Sequence, residues 1–138
     1  MKKTFAAVSL LLLAGVSQAQ LPPGESTAWR SVDCDHACLS QFVRDYMSAL
    51  AKRDATALKQ AKQVRFTENN VELPFGREGM WATTTGVAPT GLVAADAEMG
   101  QAAWLGTAEE NGRPVYFALR LAVRDGVLTE AETVVVRN

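Results

Sequence analysis

From Ala37 to Lys52 the apolar residues Leu39, Phe42, Val43, Tyr46, Met47 and Leu50 recur at helical spacing and form one stripe. Asp33 or Asp35 stands just before this segment and can cap a helix. Asp54 can start a second, short helix with Leu58 and Ala61 turned inward. Beyond residue 64 the pattern becomes strand-like. Asn111-Gly112 and Asp125-Gly126 are the preferred two-residue hairpin turns and sit between β-rich runs. They predict strands over 101–110, 113–124 and 127–137. A further strand over 91–97 turns back at Glu98-Met99-Gly100, and Asn69-Asn70 closes a hairpin between 64–68 and 71–74. The chain has no internal repeat and no low-complexity tract.

Two-residue turns fix strand register. Across the Asn-Gly turn, Ala108 opposes Val115, Gly106 opposes Phe117 and Trp104 opposes Leu119. Across the Asp-Gly turn, Phe117 opposes Val134, Leu119 opposes Glu132 and Leu121 opposes Glu130. Side chains alternate faces. One face therefore carries Trp104, Val115, Phe117, Leu119, Leu121, Val123, Leu128, Val134 and Val136, and this is the buried face. Glu130 and Glu132 fall on it as well. The opposite face is mixed: Gln101, Thr107, Arg120, Arg124, Thr129 and Thr133, with Leu105, Tyr116 and Val135 apolar for a solvated surface.

Composition narrows the classes. The chain has 138 residues, enough for one domain, and a formal net charge of −1, which gives no electrostatic case for nucleic acid or an anionic membrane. Lys2 and Lys3, the apolar run from Phe5 to Val16 and the small residues around Ser17-Gln18-Ala19 read as a signal peptide over 1–19. The run is too short to span a bilayer. Residues 20–32 are rich in proline, glycine and serine and read as a flexible tail, leaving 33–138 as the domain. The expected location is periplasmic or secreted. In such a compartment Cys34 and Cys38 should form a disulfide, with Cys34 just before the helix and Cys38 in its first turn. His36 between them raises a redox or metal alternative. However, three ligands fall short of a closed zinc site, and the redox motif normally has two intervening residues.

The candidate chemistry centres on Glu132, predicted beside Leu119 and in line with Trp104 on an apolar wall. A carboxyl there must be paired, protonated or facing a cavity, and a raised pKa would suit a general acid or base. The alternatives are a bulge that sends both glutamates to solvent, or a structural pair with Arg65 or Arg120. Tyr46 could donate a hydrogen bond into a cavity between helix and sheet, or be a core aromatic with its hydroxyl at an edge. Glu68 and Asn69 could orient a ligand or be turn residues. Trp81 and Trp104 could form an apolar platform or simply pack. With one histidine, no glycine-rich phosphate loop and no metal-ligand cluster, the expected chemistry is free of cofactor and metal.

Three segments, "DCDHACLSQFVRDYMSAL", "VRFTENNVELPFGREGMW" and "VYFALRLAVRDGVLTEAETVVVR", resemble the nuclear transport factor 2-like (NTF2-like) superfamily and, within it, the SnoaL-like secreted proteins. The resemblance implies an α+β, cone-shaped fold in which N-terminal helices pack on a bent antiparallel sheet around a pocket. Members include ketosteroid isomerases, polyketide cyclases, dehydratases, epoxide hydrolases and lyases acting on aromatic-ring compounds, and many others only bind. Isomerase and dehydratase members rely on an Asp or an Asp–His pair. This chain offers Glu132, Glu68 and Tyr46 instead.

The expectation is an exported enzyme performing acid–base chemistry, as an isomerase or lyase, on a compact apolar or aromatic molecule. Glu132 would be the base or acid, and Tyr46 and Glu68 would polarise the substrate. Trp81, Trp104, Asn69, Arg65, Phe117 and Leu119 would line the site. The alternative is a non-catalytic ligand-binding or dimerising module that pairs through the outer face of the sheet.

Overall fold

Helix α1 runs from His36 to Lys52. Asp35 caps it, accepting a hydrogen bond from the Cys38 amide at 2.9 Å, and Arg53 ends it in the left-handed conformation. The predicted stripe is buried throughout, with Ala49 added. Cys34 and Cys38 form the expected disulfide with their Cα atoms 5.2 Å apart. This computed structural model describes residues 34–137. The expected signal peptide (1–19) and tail (20–32) lie outside the described residues.

Asp54 caps only a single 3-10 turn, Ala55–Ala57, and not the second helix the sequence suggested. The chain enters strand β1 (Gln60–Glu68) at once, so Ala61 belongs to a strand. Then follow β2 (Val71–Glu72), the one-turn helix α2 (Met80–Thr83), β3 (Thr84–Val87), β4 (Leu92–Asp96), β5 (Gln101–Glu110), β6 (Arg113–Arg124) and β7 (Val127–Val136). Asn69-Asn70, Asn111-Gly112 and Asp125-Gly126 all have positive φ at both central positions. This is the turn geometry that matches strand twist, and it is why these pairs make hairpins.

The sheet order is β2-β1-β7-β6-β5-β3, with β4 also paired to β5. Neighbours are antiparallel except β1 and β7, which run parallel. No hairpin joins those two strands; the rest of the chain is their connection, and that permits the parallel pairing. α1 lies across the inner face, its apolar side against Trp104, Phe117 and their neighbours in one core. The fold is α+β, one helix packed on a bent mixed sheet.

The β5–β6 register is as predicted: Ala108 faces Val115, Gly106 faces Phe117 and Trp104 faces Leu119. The β6–β7 register is not. Arg124 pairs with Val127 and Val123 with Leu128, but the next pair is Ala122 with Glu130. Thr129 is the extra residue of a β-bulge, and its hydroxyl donates to the Ala122 carbonyl at 3.1 Å. A one-residue slip exchanges the faces of everything beyond it. Leu119 therefore faces Thr133, Leu121 faces Ala131 and Phe117 faces Val135. Thr133 and Val135 are buried, while Val134 and Val136 are about half exposed.

Candidate functional site

The expectation for Glu132 is corrected by this bulge. Its carboxylate lies on the outer face, 39 % exposed, and accepts from Arg120 Nε at 2.9 Å. Glu130 binds the same guanidinium at 3.0 Å. The two glutamates are a partly exposed ion-pair cluster and take no part in the core.

The inner face instead brings together Tyr46, Phe66, Phe75 and Trp81. Tyr46 comes from the middle of α1, Phe66 from β1 and Trp81 from α2. The Trp81 ring meets Tyr46 edge-on at 5.1 Å and Phe75 at 5.2 Å, and Phe75 meets Phe66 at 5.9 Å. These are the edge-to-face contacts aromatic rings prefer. Tyr46, Phe66 and Trp81 are buried, and Phe75 alone is partly exposed. Within this cluster the Trp81 indole N–H approaches the Tyr46 hydroxyl without forming a well-aligned hydrogen bond, and neither buried group has another partner. Burial pushes the Tyr46 phenol far above its ordinary pKa; the nearby Trp81 indole N–H opposes this and the Glu68 charge adds to it. Tyr46 is thus a neutral donor and not a base.

Beside these rings runs a polar strap. Glu68, on the inner side of β1 and only 6 % exposed, accepts from the Met80 amide at 2.8 Å and from Arg137 at 2.7 Å. Arg137 also binds Glu110, which accepts from the Thr83 hydroxyl at 2.8 Å. The Arg137 guanidinium holds the Glu110 carboxyl below its usual range, and Glu110 and then Glu68 hold Arg137 more firmly protonated. Gly79 makes the Met80 contact possible: its φ is +63°, and a Cβ there would strike the Glu68 carboxylate. Glu68 thereby anchors the α2 turn that places Trp81.

The other expected site residues are dispersed. Asn69 bridges strands, its side chain accepting from the Val135 amide at 2.9 Å and donating to the Val135 carbonyl at 3.1 Å. Arg65 is on the exposed edge, 3.9 Å from Glu72. Phe117 and Leu119 are closed core, and Trp104 packs on Phe117 at 5.7 Å, in a group separate from Trp81. Sequence reasoning missed Phe75, Arg137 and Glu110. Glu110 reads as a turn flank, Arg137 as a strand end and Phe75 as loop. An arginine directly after the apolar run Val134–Val136 is the available signal. Among the described residues no cluster of metal ligands is found, and no helix is long and apolar enough to cross a membrane.

No protein-family model and no curated protein matches the sequence. Solved structures do match. An NTF2-like protein of unknown function from Cytophaga hutchinsonii aligns with a TM-score of 0.52 at 13% identity, over 69% of this chain and 87% of that one. The fold is NTF2-like. AclR of Streptomyces galilaeus, named as a candidate hydroxylase, aligns with this chain at a TM-score of 0.53 and 12% identity, over 74% and 81% of the two chains. A candidate isomerase from Bacillus subtilis aligns at 0.51 and 12%, over 70% and 85%. At such identities the NTF2-like likeness is one of fold and carries no residue across.

Proposed function

We propose that this NTF2-like chain is a non-catalytic small-molecule-binding protein. It takes a compact aromatic molecule bearing an acceptor oxygen into the space that Phe75 fills. The observation that carries this is the pair of buried, unpartnered donors, Tyr46 Oη and Trp81 Nε1. A buried polar group without a partner costs stability, and such groups cluster where something else supplies the partner. Phe75 is followed directly by Gly76 and then by Gly79, both at positive φ, and is the only ring of the four reaching the surface. An isomerase or lyase would need an acid–base group at this site. Glu132 is on the opposite face, and both Glu68 oxygens are engaged by Met80 and Arg137. The names of the two candidate enzymes among the neighbours favour catalysis, and they are outweighed by these commitments.

A thermal-shift screen with aryl ketones tests the reading. Wild type should be stabilised, and Tyr46→Phe should lose that stabilisation while being no less stable when unliganded. Equal shifts in both proteins, or none in wild type, would refute it.

A second reading rests on the outer face. Leu92, Leu105, Ala118 and Val134 lie in one cross-strand row, with Tyr116 and Val136 in the next. The large side chains among them are about half exposed or more, together roughly 500 Å², a patch size that is often functional. A second copy pairing sheet to sheet would cover it. Sedimentation should give a dimer that Tyr116→Glu dissociates; a wild-type monomer at high concentration would end this reading. Val135, expected on that face, is inside, and Val134 and Val136 take its place. Export belongs to the same proposal, since a structural disulfide suits an oxidising compartment, and cell fractionation tests it.

A further inference from the structure

Phe75 is a shared wall. One side of its ring closes the Tyr46–Phe66–Trp81 cluster. It also lines an open groove of about 1040 Å³ between β1 and the segment from Glu72 to Arg77, floored by Thr129 and Glu130. The groove exists because β1 departs from β7. The ladder pairs Gln60 with Leu128 and next Arg65 with Glu130, so four β1 residues arch over one on β7. That arch and the facing loop bring Lys62, Arg65 and Arg77 to one groove. The two acids there are already engaged: Glu130 binds Arg120, and Glu72 lies 3.9 Å from Arg65. Among the described residues, Lys62 and Arg77 have no carboxylate within ion-pair distance. A concave site lined by one excess sign of charge favours a ligand of the other.

We propose that the ligand is an aromatic acid carrying a second acceptor oxygen. This rests on the binding reading above and names its ligand class. The aromatic ring replaces Phe75 among Phe66, Tyr46 and Trp81. The second oxygen accepts from the Tyr46 hydroxyl and the Trp81 N–H. The carboxylate stays in the groove against Lys62 and Arg77, where it remains hydrated and need not be buried. Placing the charge outside and the neutral acceptor inside meets the rule that an unpaired charge is too costly to bury.

The test compares two probes on the purified protein by calorimetric titration: 4-acetylbenzoate and its neutral counterpart, 4-acetylbenzyl alcohol. The acid should bind at least tenfold more tightly, with the difference shrinking as salt rises. Lys62→Ala combined with Arg77→Ala should bring the acid down to the alcohol and leave the alcohol unchanged. Both side chains are exposed, so the fold is not at risk. Tyr46→Phe should weaken both probes, and Phe75→Ala should tighten both because no ring then has to be displaced. If the two probes bind equally well to wild type and Tyr46→Phe weakens both, the aromatic site stands and the anionic ligand class is overturned. If neither probe binds, or binding ignores Tyr46→Phe and Phe75→Ala, the site itself is refuted and the class with it.

Discussion

Arg137 reaches Glu68 at 2.7 Å and joins the far end of β7 to a carboxylate buried on β1. It also holds Glu110, so one guanidinium is shared by two largely buried acids. Removing it strands both. The acids are buried but the guanidinium is 42 % exposed, so solvent screens the pair and Arg137→Ala should lower unfolding stability by about 2 kcal/mol, less than the cost of breaking a fully buried pair. Urea denaturation measures this, and a loss below about 1 kcal/mol would mean that water or a neighbour replaces the guanidinium.

The same cluster predicts acid sensitivity. Arg137 lowers the Glu110 pKa in the fold. A carboxyl with a depressed folded pKa stabilises fully above its unfolded value, about 4.3, and that stability is lost as pH falls through the lower folded value. Thermal stability should therefore be level down to about pH 5 and decline below it. Glu110→Gln should flatten the decline, since glutamine cannot titrate.

Glu132 should prove dispensable. The Arg120–Glu132 pair is more than a third exposed on the glutamate side, and such pairs are worth about 0.5 kcal/mol. Glu132→Gln should leave ligand-induced thermal shifts unchanged and stability within that margin. A loss of binding in that variant would return the residue to the site.

The disulfide closes a very short loop at the start of α1, and the chain-entropy argument gives it about 2 kcal/mol. Cys34→Ser with Cys38→Ser should lower the melting temperature without altering binding, because the bridge lies at the helix end away from Tyr46. Unchanged melting would mean that Asp35 alone secures this turn.

Much of this fold can be read from local chemistry. The α1 stripe, the Asp35 cap and three hairpins built on Asn, Asp and Gly turns are short-range signals, and each holds to within a residue or two except the start of β1, which lies four residues earlier than the expected 64. The register of β7 is not of that kind. Leu128, Ala131, Thr133 and Val135 face inward, a spacing of three and then twos, while a strict alternation from Leu128 would choose the glutamates. Arg120 opposite two acids is the cue for the outward face. The cluster at Tyr46 and Trp81 joins segments 35 residues apart through a loop, and no periodicity encodes such a meeting. Its donors were legible as residue types, while Phe75 and Arg137 acquire meaning only in three dimensions.

The Thr129 bulge has a consequence for the whole final strand. Drawing Thr129 into the regular ladder would turn the end of the sheet inside out, with carboxylates driven into oil and Val135 returned to the wet side, whereas excising it would leave plain alternation with every later side chain on its present face. The presence of one surplus peptide unit, held out of the ladder, thus decides which residues this molecule can offer to a partner and which it must keep for itself.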